Sequence, residues 1–384
     1  MARAARIWLM FILLLPILIY GQEKEQQLVV NGYVKNLHQF QFVDNLDQLQ
    51  WTTFLHNRLN FAYAPSESIS FRLEFRNRIF YGDAVANFPG FSDLMTQDNG
   101  WVDLTLNVAE NGHMLLVSAI DRASVRFTKG NWDITVGRQR VNWGRNLIWN
   151  PNDIFNTYNF LDFDYEERPG SDAVRVQYYT GDFSRLELAA KKGRLTDDYI
   201  VALLYGFNTW SYDFQLITGI YQNDWVMGLG WAGNLKNMGF KGELSYFVPR
   251  KDYLGNEHVL SASISMDYGF KNGLYLYGSA LYNGSNLNQN GGIENLALTA
   301  ITAKNLMPFE FSSYVQLAKE FSPIFSGSLG TVYAPTNHSV IAIPTLTYSL
   351  ATNWEIDLIS QSFFEFKKYR SLGHGIFIRL RWSF

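Results

Sequence analysis

From residue 28 to the last residue the chain alternates apolar and polar side chains in short segments, and this period of two constrains the fold more than any motif does. In Ser68–Tyr81, the residues Ile69, Phe71, Leu73, Phe75 and Ile79 alternate with Ser70, Arg72, Glu74, Arg76 and Arg78. Phe183–Lys191, Phe240–Val248, Phe325–Tyr333 and Trp354–Gln361 repeat the pattern. Leu260–Tyr268 sets Ala262, Ile264, Met266 and Tyr268 against Ser261, Ser263, Ser265 and Asp267. Hydrophobic residues are 47% of the chain and charged ones only 17%. Beyond the N-terminal segment, no stretch approaches the roughly 18 continuous apolar residues of a membrane helix. In lipid only helices and closed barrels satisfy every backbone group. The expectation is an all-β chain: a single closed antiparallel transmembrane β-barrel.

Expected strands run near residues 28–42, 49–63, 68–82, 114–128, 132–144, 171–179, 183–192, 198–206 and 211–221. They continue near 225–234, 238–249, 258–268, 273–283, 309–320, 324–334, 338–349, 353–365 and 373–384. That is about 18 strands, with 16 also compatible, an even number as bacterial barrels require. Connection lengths give a second test, because such barrels have short turns at one end and long loops at the other. Ala64–Glu67, Lys129–Asn131, Thr180–Asp182, Lys236–Asn237 and Phe270–Asn272 are short and rich in turn formers. The long connections, 83–113, 145–170, 250–257, 284–308 and 366–372, all fall in the alternate class. Trp132, Trp210 and Trp354 lie at short-turn strand ends and Trp225 at a long-loop end, the depths that amphipathic rings favour.

Both ends of the chain bear on its compartment. Arg3 and Arg6 precede an apolar run from Ile7 to Ile19, broken by Pro16, and Tyr20-Gly21-Gln22 returns the chain to polar residues. This order is that of a secretory signal peptide, placed at residues 1–21 and leaving 22–384 as barrel; a short anchor helix is the other reading. The absence of cysteine excludes a lipoprotein signal, disulfides and thiolate metal sites. Without Arg3 and Arg6, 30 Lys and Arg stand against 35 Asp and Glu, a net charge of −5 that argues against nucleic acid as a partner. In the last segment Ile376, Ile378, Leu380, Trp382 and Phe384 alternate with Phe377, Arg379, Arg381 and Ser383. An apolar face ending on an aromatic residue resembles the C-terminal signal of outer-membrane barrels. That resemblance implies a bacterial outer-membrane location, with Trp382 and Phe384 read by the barrel-assembly machinery and the lipid bilayer as the main partner.

Polar residues of the alternating segments are expected to face the lumen. The first third carries Arg58, Arg72, Arg76, Arg78, Arg122, Arg126 and Arg175 on that face, and barrel closure brings Arg379 and Arg381 beside them. Later strands contribute Ser, Gly, Asn and acids such as Glu355 and Asp357. Two readings stand. Either arginines and acids pair across strands and brace the wall, or the arginines form a cationic face that lowers the barrier for anions.

The segment Gly137–Arg145 breaks the alternation. Ile134 and Val136 share parity with Arg138 and Arg140, so a bulge at Gly137 is expected to turn both arginines inward. The loop that follows carries Asp153, Asp162, Asp164, Glu166 and Glu167. Gly137-Arg138-Gln139, Asn142-Trp143-Gly144, Asn150-Pro151-Asn152-Asp153, Glu167-Arg168-Pro169-Gly170 and Asp172-Ala173 together resemble a pattern of Gram-negative porin-like barrels. The alginate-export porins and related 18-stranded barrels show similar runs. The match covers residues 137–175 and implies a loop folded into the lumen, its acids facing an arginine wall.

Enzyme chemistry finds little support. None of His38, His56, His113, His258, His338 and His374 belongs to a metal motif, no G-x-S-x-G turn occurs, and no cofactor is expected. The expected function is passive passage of small polar or anionic solutes. The alternative is a non-conducting barrel that binds a protein partner at its outer loops, where 83–113 and 284–308 are the long candidates.

Overall fold

The computed structural model describes residues 27–43, 48–157, 159–161, 167, 170–251, 257–285, 301–367 and 370–384. The expected signal segment, and Asp162, Asp164 and Glu166, lie outside the described residues. The first strands are β1 (Leu28–Phe42), β2 (Gln50–Ser66), β3 (Ile69–Gly82), β4 (Thr105–Asn111), β5 (Met114–Lys129), β6 (Trp132–Gln139) and β7 (Ser171–Gly181). Next come β8 (Ser184–Lys192), β9 (Tyr199–Thr209), β10 (Tyr212–Tyr221), β11 (Asp224–Leu235), β12 (Met238–Pro249) and β13 (Val259–Gly269). The last are β14 (Leu274–Asn283), β15 (Phe311–Ser322), β16 (Phe325–Ala334), β17 (Ser339–Ala351), β18 (Trp354–Glu365) and β19 (Arg370–Ser383). Two short helices, α1 (Asp83–Asn87) and α2 (Phe91–Thr96), precede β4.

Each strand except β4 pairs antiparallel with its neighbours in sequence order, and β1 pairs with β19, so eighteen strands close a ring. Closure leaves no sheet edge in the ring. At the seam Phe384 N donates to Gly32 O at 3.0 Å, and Gly32 N donates to Phe384 O at 2.9 Å. The long connections 83–113, 140–170, 250–258 and 284–310 all leave one end of the barrel. The other end has tight turns. At one of them Trp210 and Ser211 both take positive φ, 53° and 63°, as a two-residue hairpin of the primed type demands.

The alternation sorts side chains to two sides. Leu55, Phe71, Val125, Leu188, Leu203, Leu216, Met227, Val315, Leu329, Leu346 and Leu358 are exposed on the exterior. So much exposed apolar surface suits lipid rather than water. Trp132, Trp210, Trp225 and Trp354 are exposed near strand ends. No helix among the described residues is long and apolar enough to cross a membrane.

Three features depart from the sequence reading. The bulge expected at Gly137 is absent: pairing runs without a shift from Lys129↔Trp132 to Ala123↔Arg138, and Gly137 instead takes φ +115°. Any side chain there would also strike Ala123 O. The bulge lies in β5, between Ile120 and Arg122, and leaves Asp121 as the extra residue beside Arg122. Finally, β6 stops at Gln139 rather than near 144, and β4 takes the edge of β5 that is left open, pairing Thr105↔Ala119 through Asn111↔Met114.

Candidate functional site

Two connections laid against inward-facing wall residues shape much of the interior, and residues 301–309 of a third pack beside them. In the first, α1 and α2 fold onto the lumen side of β2, β3 and β5, where Phe91 packs with Phe80, Leu115 and Val117. The chain then returns to the wall through residues 97–104, which Arg138 pins. Its guanidinium donates to Asp98 and Asp172, at 2.7 Å each, and to the carbonyls of Val102 and Ile120 at 2.6 and 3.3 Å. Arg138 thus stands at the end of β6 as a wedge between β5, β7 and the strap. Burial works against the charge of Asp98, but Arg138 and the amides of Leu104 and Gly100 outweigh it and hold its pKa below the usual carboxylate range.

The second connection, residues 140–161, crosses the lumen and is held by β10 to β13. Glu243 on β12 is its main anchor: one carboxylate accepts the backbone amides of Arg145, Asn146 and Asn152, the last two at 2.7 and 2.9 Å. The serine row of β13 is a second rail. Asn146 Nδ2 donates to Ser263 Oγ at 2.5 Å, Ser265 Oγ donates to Asn146 Oδ1 at 2.7 Å, and Ser263 Oγ donates to the Trp149 carbonyl at 3.0 Å. Ser245 Oγ bonds Asn152, Gln215 Nε2 bonds the Trp143 carbonyl, and Trp143 Nε1 donates to Glu187 at 2.6 Å. Gly144 is required here because a side chain would meet Asn150 Oδ1 at 2.3 Å. The Asn-Trp-Gly and Asn-Pro-Asn-Asp runs therefore have a structural role, which is to seat this loop. Further along, Trp149 and Leu161 join Leu306, Met307, Phe309, Tyr314 and Ile359 in an apolar cluster inside the barrel.

Most predicted arginines are paired with carboxylates. Arg58 is bonded to Glu74 and to Asp121, Arg76 to Asp121 at 3.1 Å, and Arg126 to Asp133. Arg175 meets Glu187 at 2.6 Å and Arg379 meets Asp357 at 2.9 Å. Arg78 donates to the Met95 carbonyl and stacks on Phe80, while Arg381 lies over the Tyr33 ring. Arg122 donates to the carbonyl of Asp121 at 2.8 Å. Arg72 differs, with 62% of its side chain exposed and Glu74 as far as 3.7 Å away.

Two cavities open beside these groups. One, about 260 Å³, is lined by Arg72, Arg122, Arg126, Arg140 and Arg175 with Asp133 as its acid. The other, about 290 Å³, shares Arg72, Arg122 and Arg140 and adds Glu74 and Glu167. Of the described loop acids, Glu167 reaches the arginines. Asp153 is buried at the turn of the inner loop, among the charges that act on Lys191. A third cleft of about 340 Å³ lies between the two connections and is lined by Arg76, Asp98, Asp121, Asn156, Lys191 and Asp198 among others. Among the described residues no cluster of His, Asp and Glu is placed to hold a metal.

No family model matches the chain, and no curated protein matches its sequence. Solved structures do. OccAB4 of Acinetobacter baumannii superposes with a TM-score of 0.60 at 10% identity, over 94% of this chain and 100% of its own. OccK11 (OpdR) of Pseudomonas aeruginosa gives 0.57 at 9% identity, over 93% of this chain and 95% of its own. OpdK of Pseudomonas aeruginosa, crystallised with vanillate, gives 0.54 at 11% identity, over 93% and 98%. The chain has the fold of these outer-membrane channels.

Sequence reasoning missed Glu243, Asp121 and the helices. Glu243 sits in an ordinary alternating segment, and only the loop that comes to it distinguishes it from a wall acid.

Proposed function

We propose that the chain is a passive outer-membrane channel for small polar or anionic solutes. The reading is carried by one observation: inside a closed wall, two cavities share Arg72, Arg122 and Arg140, and among the described residues that line them five arginines stand against three carboxylates. A narrow passage with excess guanidinium charge lowers the barrier for an anion. The vanillate bound by OpdK is a carboxylate of the kind such a passage would admit. Export by residues 1–21 and recognition of Trp382 and Phe384 during assembly belong to the same proposal.

Planar-bilayer recording across a KCl gradient tests it. Discrete openings with an anion-selective reversal potential are expected; a silent barrel overturns the reading. The second reading, a scaffold that docks a partner protein, is favoured by the apolar cluster of Trp149, Leu161, Met307 and Phe309, which fills part of the lumen. Silence together with a co-purifying stoichiometric partner would support it.

A further inference from the structure

The exterior of the barrel is not uniform around its long-loop rim. On β1 to β3 and β14 to β16 that rim carries Phe42, Trp51, Tyr81, Tyr282, Phe311 and Tyr333, all apolar or aromatic. On the far side Arg370 is paired with Glu365 at 2.7 Å, and Lys367 is another exposed cation among the described residues there. The sector from β8 to β13 is different. Lys192, Arg194, Arg250, Lys251 and His258 gather there around Tyr199, Trp225 and Tyr246.

Pairing makes these residues one patch. Lys192 lies opposite Tyr199, and Trp225 opposite Val248, two residues before Arg250 on the same face. Side chains of this face point away from the lumen: Trp225 is 49% exposed, while its neighbour Val226 is 0% exposed and packs inside. The Arg250 guanidinium stacks over the Trp225 ring at 5.6 Å and donates to Tyr199 Oη at 2.5 Å. Lys192 Nζ is held by the carbonyls of Leu195 and Thr196. Tyr246 Oη lies 2.9 Å from His258 Nδ1. These cations are therefore fixed at the level of an aromatic belt. Of the nearby described carboxylates, Asp197 is exposed, whereas Asp198 takes Gln222 and lines the inner cleft, Asp224 takes Lys304, and Glu257 takes Ser285.

We propose that this sector binds the phosphate groups of an outer-leaflet glycolipid, with its acyl chains lying along the apolar wall below Trp225 and Tyr199. Guanidinium and ammonium groups recognise phosphate by charge-assisted hydrogen bonds. Their position at the belt matches the depth of a lipid headgroup rather than that of a soluble ligand. The inference rests on the long-loop end facing outward, and not on conduction.

Native mass spectrometry of the detergent-purified full chain tests it, with diphosphorylated lipid A as the probe. Wild type should retain lipid A, and the double variant Arg250→Ala/Lys192→Ala should bind it at least several-fold more weakly. Dephosphorylated lipid A should bind as weakly to wild type as lipid A does to the variant. Excess inorganic phosphate should not compete, because it lacks the acyl chains. Equal retention by both proteins, equal binding of the dephosphorylated lipid, or displacement by free phosphate would each overturn the proposal. Unchanged heat-modifiable migration of the variant shows that its barrel is folded, and unchanged bilayer conductance separates this outcome from any failure of the channel reading.

Discussion

Arg58 on β2 gives its guanidinium to carboxylates from two other strands, Glu74 on β3 and Asp121 at the β5 bulge, with 2% of its side chain exposed. Taking it away leaves two acids in a poorly hydrated wall with one partner fewer. Arg58→Ala should therefore cost about 3–5 kcal/mol, the range for breaking a buried pair from one side. The midpoint of urea unfolding in detergent micelles checks this; a shift no larger than that of Arg72→Ala would show the network to be dispensable. Phe384 acts at the seam. It exchanges two backbone hydrogen bonds with Gly32, and its ring follows Trp382, which stacks on Trp354 at 6.0 Å. Deleting Phe384 should lower the amount of heat-modifiable, folded barrel in the outer membrane. Normal levels would mean that neither the seam contacts nor the proposed assembly signal matters.

At the scale of elements, a carboxylate is a principal anchor of both the inner connection and the strap. Glu243 accepts three amides of residues 145–152, and each such hydrogen bond contributes roughly 0.5–1.5 kcal/mol. Glu243→Ala should free that segment and raise single-channel conductance, and Glu243→Gln, which keeps an acceptor oxygen, should do so less. Equal conductance in all three proteins would remove the loop from the conducting path. The strap depends on pH through Asp98. Its pKa is lowered in the fold, so the stability it lends is present above the ordinary carboxylate value of about 4 and is lost as pH falls through the lower folded value. Protection of the Gly100 and Leu104 amides, measured against their intrinsic exchange rates, should therefore fall only in acid, and Asp98→Asn should flatten that dependence. These anchors show what a sequence does and does not disclose. Strand positions were legible because wall residues alternate between lipid and lumen, and that pattern is local. β4 was not, since Thr105–Asn111 is short and becomes a strand only because β6 leaves an edge of β5 open. Arg138 shows the same limit: the bulge expected to turn it is absent, and two of its partners, Asp98 and Val102, come from loop residues 97–104, which no periodicity places.

For the whole molecule, the question is which guanidinium groups face the open space inside the wall. Arg58, Arg76, Arg126, Arg175 and Arg379 each have a carboxylate at hand, so much of the arginine excess read from the first strands braces the wall. The arginines most open to the interior are Arg72 and Arg140, both exposed toward the two arginine cavities that Arg122 also lines, and these are the candidates for setting ion preference. Arg72→Ser/Arg140→Ser should shift the reversal potential away from anions while leaving the barrel folded, because exposed pairs contribute only about 0–1 kcal/mol each. Arg175→Ser is a poor substitute for this test. It strips a partner from Glu187, whose side chain is 0% exposed, and should lower folding yield before it reports on selectivity. Glu167→Gln removes an acid from one of the same cavities and should move the reversal potential toward anions, opposite to the arginine variant. Opposed shifts from the two variants, in barrels of unchanged heat-modifiable migration, would locate ion preference at this sector. If neither variant moves the reversal potential of an open channel, ions pass elsewhere, and the cleft between the two inner connections, with Lys191 and Asp198 on its walls, is the next place to look.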